Sequence, residues 1–185
     1  FSSRGWAVHL RAARTGRKAA ERYEAGGFQV LLHDDRPGSD EDLKNTLQMK
    51  NEIAPDFFVM DGYAFDGRFQ QACHSRQCKT LVVDDYGQLD FYFCDYLLNH
   101  NSDAEKIAYA RLAAPALKML GKDYALLRDE FLNRAPKPAG QGPVQKVLVT
   151  LGGGDAEGMT LRIVELLLEH DFGGVEFLVL LGSMN

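Results

Sequence analysis

The chain has 185 residues, 45% of them apolar and 25% charged, with a formal net charge of −5. That length allows one domain or a little more, and the acidic balance argues against a nucleic-acid groove, which needs a concentrated basic face. No apolar run reaches the length of a membrane-spanning helix, and the first residues do not read as a secretory signal.

In chain order, residues 6–10 read as a short strand. The basic segment 11–22 then leads through a helix to Ala25-Gly26-Gly27, whose glycines stop it. Residues 28–32 are the next strand, and His33 to Asp40 have loop chemistry. Ser39 or Asp40 caps a helix running to about Ile53, with Glu41 and Asp42 in its first turn and Lys50 in its last, as the helix dipole favours.

Pro55 ends that helix. The continuous apolar run 56–60 is expected to be a strand buried on both faces, and it delivers Asp61-Gly62-Tyr63 at its carboxyl end. A helix over about 65–76 returns the chain. The strand 80–83 then delivers Asp84-Asp85-Tyr86-Gly87, and a shorter one, 94–98, delivers Asn99-His100-Asn101. Ligands of open α/β sheets bind beyond the carboxyl ends of the strands, so these clusters are expected to line one crevice. Leu117, Leu120, Tyr124, Leu127 and Phe131 have the spacing of an amphipathic helix. Gly121-Lys122-Asp123 interrupts it and leaves the local structure open.

The segment 136–143, rich in proline and glycine, cannot hold a helix or a central strand and serves as a linker. It divides a first Rossmann-like domain, 1–135, from the start of a second, 144–185. The second opens on the strand Lys146-Val147-Leu148-Val149-Thr150-Leu151, which breaks into Gly152-Gly153-Gly154-Asp155 before an apolar helical pattern, Met159 to His170. Strand, glycine turn and helix bring backbone N–H groups up to an anion. The loop is neither a Walker A motif nor a G-x-G-x-x-G, because Glu157 stands at the last glycine's place. A plain tight turn fits it as well as a ligand loop does, and Asp155 can simply cap the helix. The alternation of strands and helices points to doubly wound parallel α/β sheets.

Cys73, Cys78 and Cys94 make neither a CxxC pair nor an even set. They argue against a disulfide framework, give only a weak zinc reading with His74, and agree with a reducing cytoplasm. Asp61 with Tyr63, and Asp84-Asp85-Tyr86, suit metal carboxylates, acid/base groups, or loop residues that satisfy backbone donors. The histidines have no triad-like context, and no Gly-x-Ser-x-Gly elbow is present.

Met60-Asp61-Gly62-Tyr63, Val83-Asp84-Asp85-Tyr86, Cys94-Asp95-Tyr96-Leu97-Leu98-Asn99, Leu120-Gly121-Lys122-Asp123-Tyr124-Ala125-Leu126-Leu127-Arg128 and Val147 to Asp155 follow one another in a familiar order. Together they resemble the UDP-2,4-diacetamido-2,4,6-trideoxy-β-L-altropyranose hydrolases of pseudaminic acid biosynthesis, and the related spore-coat polysaccharide proteins. The resemblance implies a glycosyltransferase-B-like pair of Rossmann-type domains with a UDP-sugar in the cleft between them. It implies metal-independent hydrolysis at the anomeric carbon, without a cofactor, in the cytoplasm. By position, Tyr63 is the candidate catalytic residue. Asp61, Asp85, Asn99, Tyr124, Arg128, Gly152, Gly153, Gly154 and Asp155 are candidates for substrate binding. The family often has Ser where Gly154 stands.

The family's base, a histidine in a Gly-x-Gly-His-x-x-Arg loop after its first strand, has no counterpart here. His9 lies inside what matches the second strand. The chain therefore reads as an internal piece of a longer enzyme, expected to be inactive alone. Its second domain would be present only as one βαβ unit, and strands 6–10 and 57–60 would flank the place of an absent central strand. A glycosyltransferase of the same architecture, or a non-catalytic nucleotide-sugar-binding remnant, are the alternatives. The oligomeric state is open.

Overall fold

The computed structural model describes residues 5–14, 17–109, 111–113, 115–135, 140, 142–152, 155 and 157–181. The elements in order are β1 (His9–Ala13), α1 (Arg17–Ala25), β2 (Gln29–His33), α2 (Asp40–Ile53), β3 (Phe57–Asp61), α3 (Gly67–Cys73), β4 (Lys79–Val83), β5 (Tyr96–Asn99), β6 (Leu117–Leu120), α4 (Asp129–Leu132), β7 (Lys146–Thr150), α5 (Met159–Leu168) and β8 (Glu176–Leu180). They fall into two compact units, Phe1–Leu132 and Asn133–Asn185. The architecture is mixed α/β with parallel sheets. The first unit holds a two-stranded sheet, β1-β2, and a four-stranded one, β3-β4-β5-β6; the second holds β7-β8. Every pair is parallel, so every passage between neighbouring strands is a crossover.

Local chemistry sets the ends of the helices. Ser39 Oγ accepts from the Asp42 N–H at 3.2 Å and starts α2, whose first turn carries Asp40, Glu41 and Asp42. The helix stops at Ala54, held left-handed with φ 47°, because the residue before a proline is driven out of the right-handed helical region. Asp66 caps α3, its carboxylate accepting from Phe69 N at 2.8 Å.

The core of the first unit lies against the four-stranded sheet. Met60, Val82 and Leu97 from the strands meet Phe69 and Cys73 of α3, with Tyr92, Cys94 and Tyr109 from the irregular crossovers. Leu43 and Leu47 of α2 close it from the side. Fully burying a side chain of this size stabilises by about 1.5–3 kcal/mol, which makes this cluster the main cohesive element.

The structure departs from the sequence reading in two places and resolves a third that was open. The strand expected at 6–10 lies at His9–Ala13, so Arg11 belongs to a strand and not to a helical approach. Its guanidinium donates to Asp35 and Asp42 and meets His33 at 3.1 Å, which fixes the strand's carboxyl end beside the start of α2. The run expected to be buried on both faces is not: in β3, Phe57 and Val59 are 49% and 52% exposed while Met60 is buried. β3 ends its sheet, with β4 as its strand partner, and β1 has β2; among the described residues neither has a second. The helical spacing that begins at Leu117 resolves into a strand, β6, in register with β5. Gly121, at φ 90°, then turns the chain into a 3-10 turn, Lys122–Tyr124.

In the second unit β7, α5 and β8 form one βαβ turn, registered from Lys146 opposite Glu176 to Thr150 opposite Leu180. Thr160 is its buried residue among those described. No helix among the described residues is long and apolar enough to cross a membrane.

Candidate functional site

Three loops, after β3, β4 and β5, bring their polar residues together. Tyr63 donates its hydroxyl to Asp85 Oδ2 at 2.6 Å. Asn101 Nδ2 donates to the other carboxylate oxygen of Asp85 at 3.2 Å and to its backbone carbonyl at 3.3 Å. The ring of Tyr86 stacks on that of Tyr63, centroids 5.7 Å apart. Asp61 closes β3 and is exposed. The hydrogen bond to Asp85, followed by that to Tyr86, pushes the Tyr63 hydroxyl above the ordinary phenol range. At neutral pH this phenol is a donor and not a base.

Beneath these loops lies a buried polar layer. Asp84, 5% exposed, accepts from Tyr92 Oη at 2.8 Å, from Tyr109 Oη, and from the Gly87 N–H at 2.6 Å. Asn99, fully buried, donates to Tyr109 Oη at 2.8 Å and accepts from the Asn101 N–H at 3.0 Å. Burial, with the hydrogen bond to Asp84, raises the pKa of both Tyr92 and Tyr109. The layer is saturated with internal bonds and fixes the loops above it. Adjacent residues thus divide the labour: Asp84 turns inward to hold the loop, and Asp85 turns outward.

The other candidates are placed individually. Tyr124 ends the 3-10 turn after β6 and is exposed. Arg128 pairs with Glu130 at 2.8 Å and lies over the Phe131 ring. Gly152 takes φ 86° with open space where a side chain would stand. Gly153 and Gly154 lie outside the described residues. Asp155 accepts from the Met159 and Thr160 N–H groups at 2.7 Å each and so caps α5, and the Thr160 bond lowers its pKa. Its carboxylate faces the N–H groups that an anion at this helix end would seek.

His33, Asp35 and Asp42 could hold a cation by their spacing, their ligand atoms lying within 4.8 Å of one another. Arg11 already reaches all three and offsets one of the two carboxylate charges, Asn45 adds a bond to Asp35 at 3.0 Å, and the Gly38 N–H one to Asp42 at 2.7 Å. The cluster thus fits a structural tie. An open groove along α2, lined by Leu43, Leu47, Gln48 and Arg68 among others, shares no residue with the Tyr63 cluster.

The sequence places Tyr86 and Asn101 within these clusters without distinguishing them as site residues. The usable signal was position: the second and third residues past a strand end reach further from the sheet than the first.

The fold and the cluster define a parallel α/β protein with hydrogen-bonding groups beyond the carboxyl ends of adjacent strands. No known family's sequence profile matches the chain. Over 156 residues it is 24% identical to the uncharacterized protein MJ1062 of Methanocaldococcus jannaschii, a match that takes in 82% of this chain and 31% of that relative. The chain therefore spans less than a third of the relative's length.

Proposed function

We propose that the chain is part of a nucleotide-sugar hydrolase that releases UDP from a UDP-linked diacetamido-trideoxy-hexose in nonulosonic acid or surface-glycan synthesis. The observation that carries this reading is the Tyr63–Asp85–Asn101 constellation beyond the carboxyl ends of β3, β4 and β5, where ligands of parallel α/β sheets bind. In this reading Asp61, Tyr63 and Asp85 face the sugar. Tyr63, protonated at neutral pH, exchanges its hydroxyl bond to Asp85 for one to a sugar oxygen when the substrate binds. A separate base takes the proton of the attacking water as its oxygen bonds to the anomeric carbon, and the electron pair of the breaking C–O bond leaves with UDP.

The test is incubation of the full-length protein with the UDP-sugar and no acceptor. Free sugar and UDP appear in equal amounts, and Tyr63→Phe lowers kcat by about 10²-fold or more, the scale of a positioned acid–base group. The melting temperature changes little, because Tyr63 is 63% exposed. Release of sugar only when an acceptor alcohol is added would replace the hydrolase by a transferase. Full activity in Tyr63→Phe would return this tyrosine to a packing role.

A further inference from the structure

Tyr63 and Tyr86 are 63% and 71% exposed, an expensive way to leave two aromatic faces unless something covers them. They come from different loops, one after β3 and one after β4, and still meet with their planes 29° apart. The pair makes one aromatic ledge on a base fixed by the bonds of Asp84, Tyr92 and Tyr109. Asp85 stands at its side. Each of its carboxylate oxygens has accepted one hydrogen bond and retains capacity for another.

The charge around the ledge selects among ligands. Asp61 and Asp85 lie on the two loops that carry the rings, and residues 61–67 and 84–105 contain no lysine or arginine. These carboxylates accept from hydroxyl groups. A pyranose ring offers both complements: C–H bonds for the electron-rich ring faces, and hydroxyl donors for the carboxylate. We propose that Tyr86 and Tyr63 form a carbohydrate-binding ledge that takes a neutral pyranose, with Asp85 accepting from its hydroxyls. This deepens the nucleotide-sugar reading and rests on it for the choice of substrate, and it assigns Tyr86 to specificity.

The experiment titrates the protein separately with glucose, galactose, N-acetylglucosamine, uridine and inorganic diphosphate, following ligand signals by saturation-transfer NMR. At least one pyranose binds, and Tyr86→Ala weakens it by about tenfold or more, the scale of losing an aromatic stacking platform. Tyr86→Phe retains the affinity, since the ring face and not the hydroxyl is used. Circular dichroism confirms that both variants remain folded. Unchanged pyranose affinity in Tyr86→Ala, no binding by any of the three sugars, or a loss confined to uridine would each overturn the ledge. A kinetic arm in the full-length enzyme separates this idea from its parent reading. Rapid UDP-sugar hydrolysis with KM unchanged by Tyr86→Ala would remove the ledge and leave the hydrolase; Tyr86-dependent sugar binding without hydrolysis would do the reverse.

Discussion

The four-stranded layer of the first unit and the βαβ turn of the second are built from similar apolar runs and differ in what those runs achieve. In the first, Leu97, Phe69, Cys73 and Cys94 are at most 1% exposed, because helix, sheet and crossovers close around them. In the second, Leu148, Leu161 and Leu180 are 62%, 64% and 58% exposed. Among the described residues of this unit the secondary structure is one helix and two strands, and so short a sheet is marginal without further cover. Apolar sequence becomes cohesion only where a second surface covers it.

The sharpest way to break this contrast is a pair of truncations. Leu97→Ala is expected to cost about 2–5 kcal/mol in urea unfolding followed by circular dichroism, whereas Leu148→Ala costs under about 0.5 kcal/mol. Equal costs would show that the second unit is as well packed as the first. Next comes the polar layer. Asp84→Asn leaves Tyr92 and Tyr109 competing for one acceptor oxygen, so it costs about 1–3 kcal/mol by the same measurement. Asp85→Asn, one residue along at a half-buried position that keeps one acceptor oxygen, costs less, under about 1 kcal/mol.

The smallest effect is electrostatic. Burial resists ionisation of Asp95, but bonds from Lys79 at 2.6 Å and the Thr80 N–H at 2.9 Å outweigh it and hold its pKa below the ordinary value. A folded-state pKa below the unfolded one gives stability that is complete above about pH 4 and lost as pH falls through the folded value. The urea midpoint should therefore fall as pH drops below about 4, and less steeply in Asp95→Asn. Parallel slopes in the two proteins would remove this tie between β4 and β5.

The parallel α/β class was legible because its strands are short apolar runs ending in polar clusters, and α2 because Ser39, its acidic first turn and Pro55 mark both ends. β6 was not. Leu117, Leu120 and Tyr124 happen to fall at helical intervals, and only the pairing with β5, a contact distant in sequence, decides for a strand. The exposure of β3 was hidden for a related reason: composition reports that Phe57 and Val59 are apolar, not whether a neighbour exists to cover them. At the site, sequence located the loops but could not divide Asp84 from Asp85. Which carboxylate turns inward depends on Tyr92 and Tyr109, which lie further along the chain.

The three thiols described within the first unit have a practical consequence for labelling. Burial raises the pKa of all of them, Cys73 to about 11 and Cys94 to about 12, so thiolate near neutral pH is scarcer than for an exposed cysteine. With all three side chains buried, the folded chain is expected to react slowly with maleimide dyes. A single cysteine placed at Leu148, on the exposed strand of the second unit, would then take one fluorophore without any prior removal of native thiols, and rising stoichiometry at Cys73 or Cys94 would serve as a direct clock for opening of the first unit.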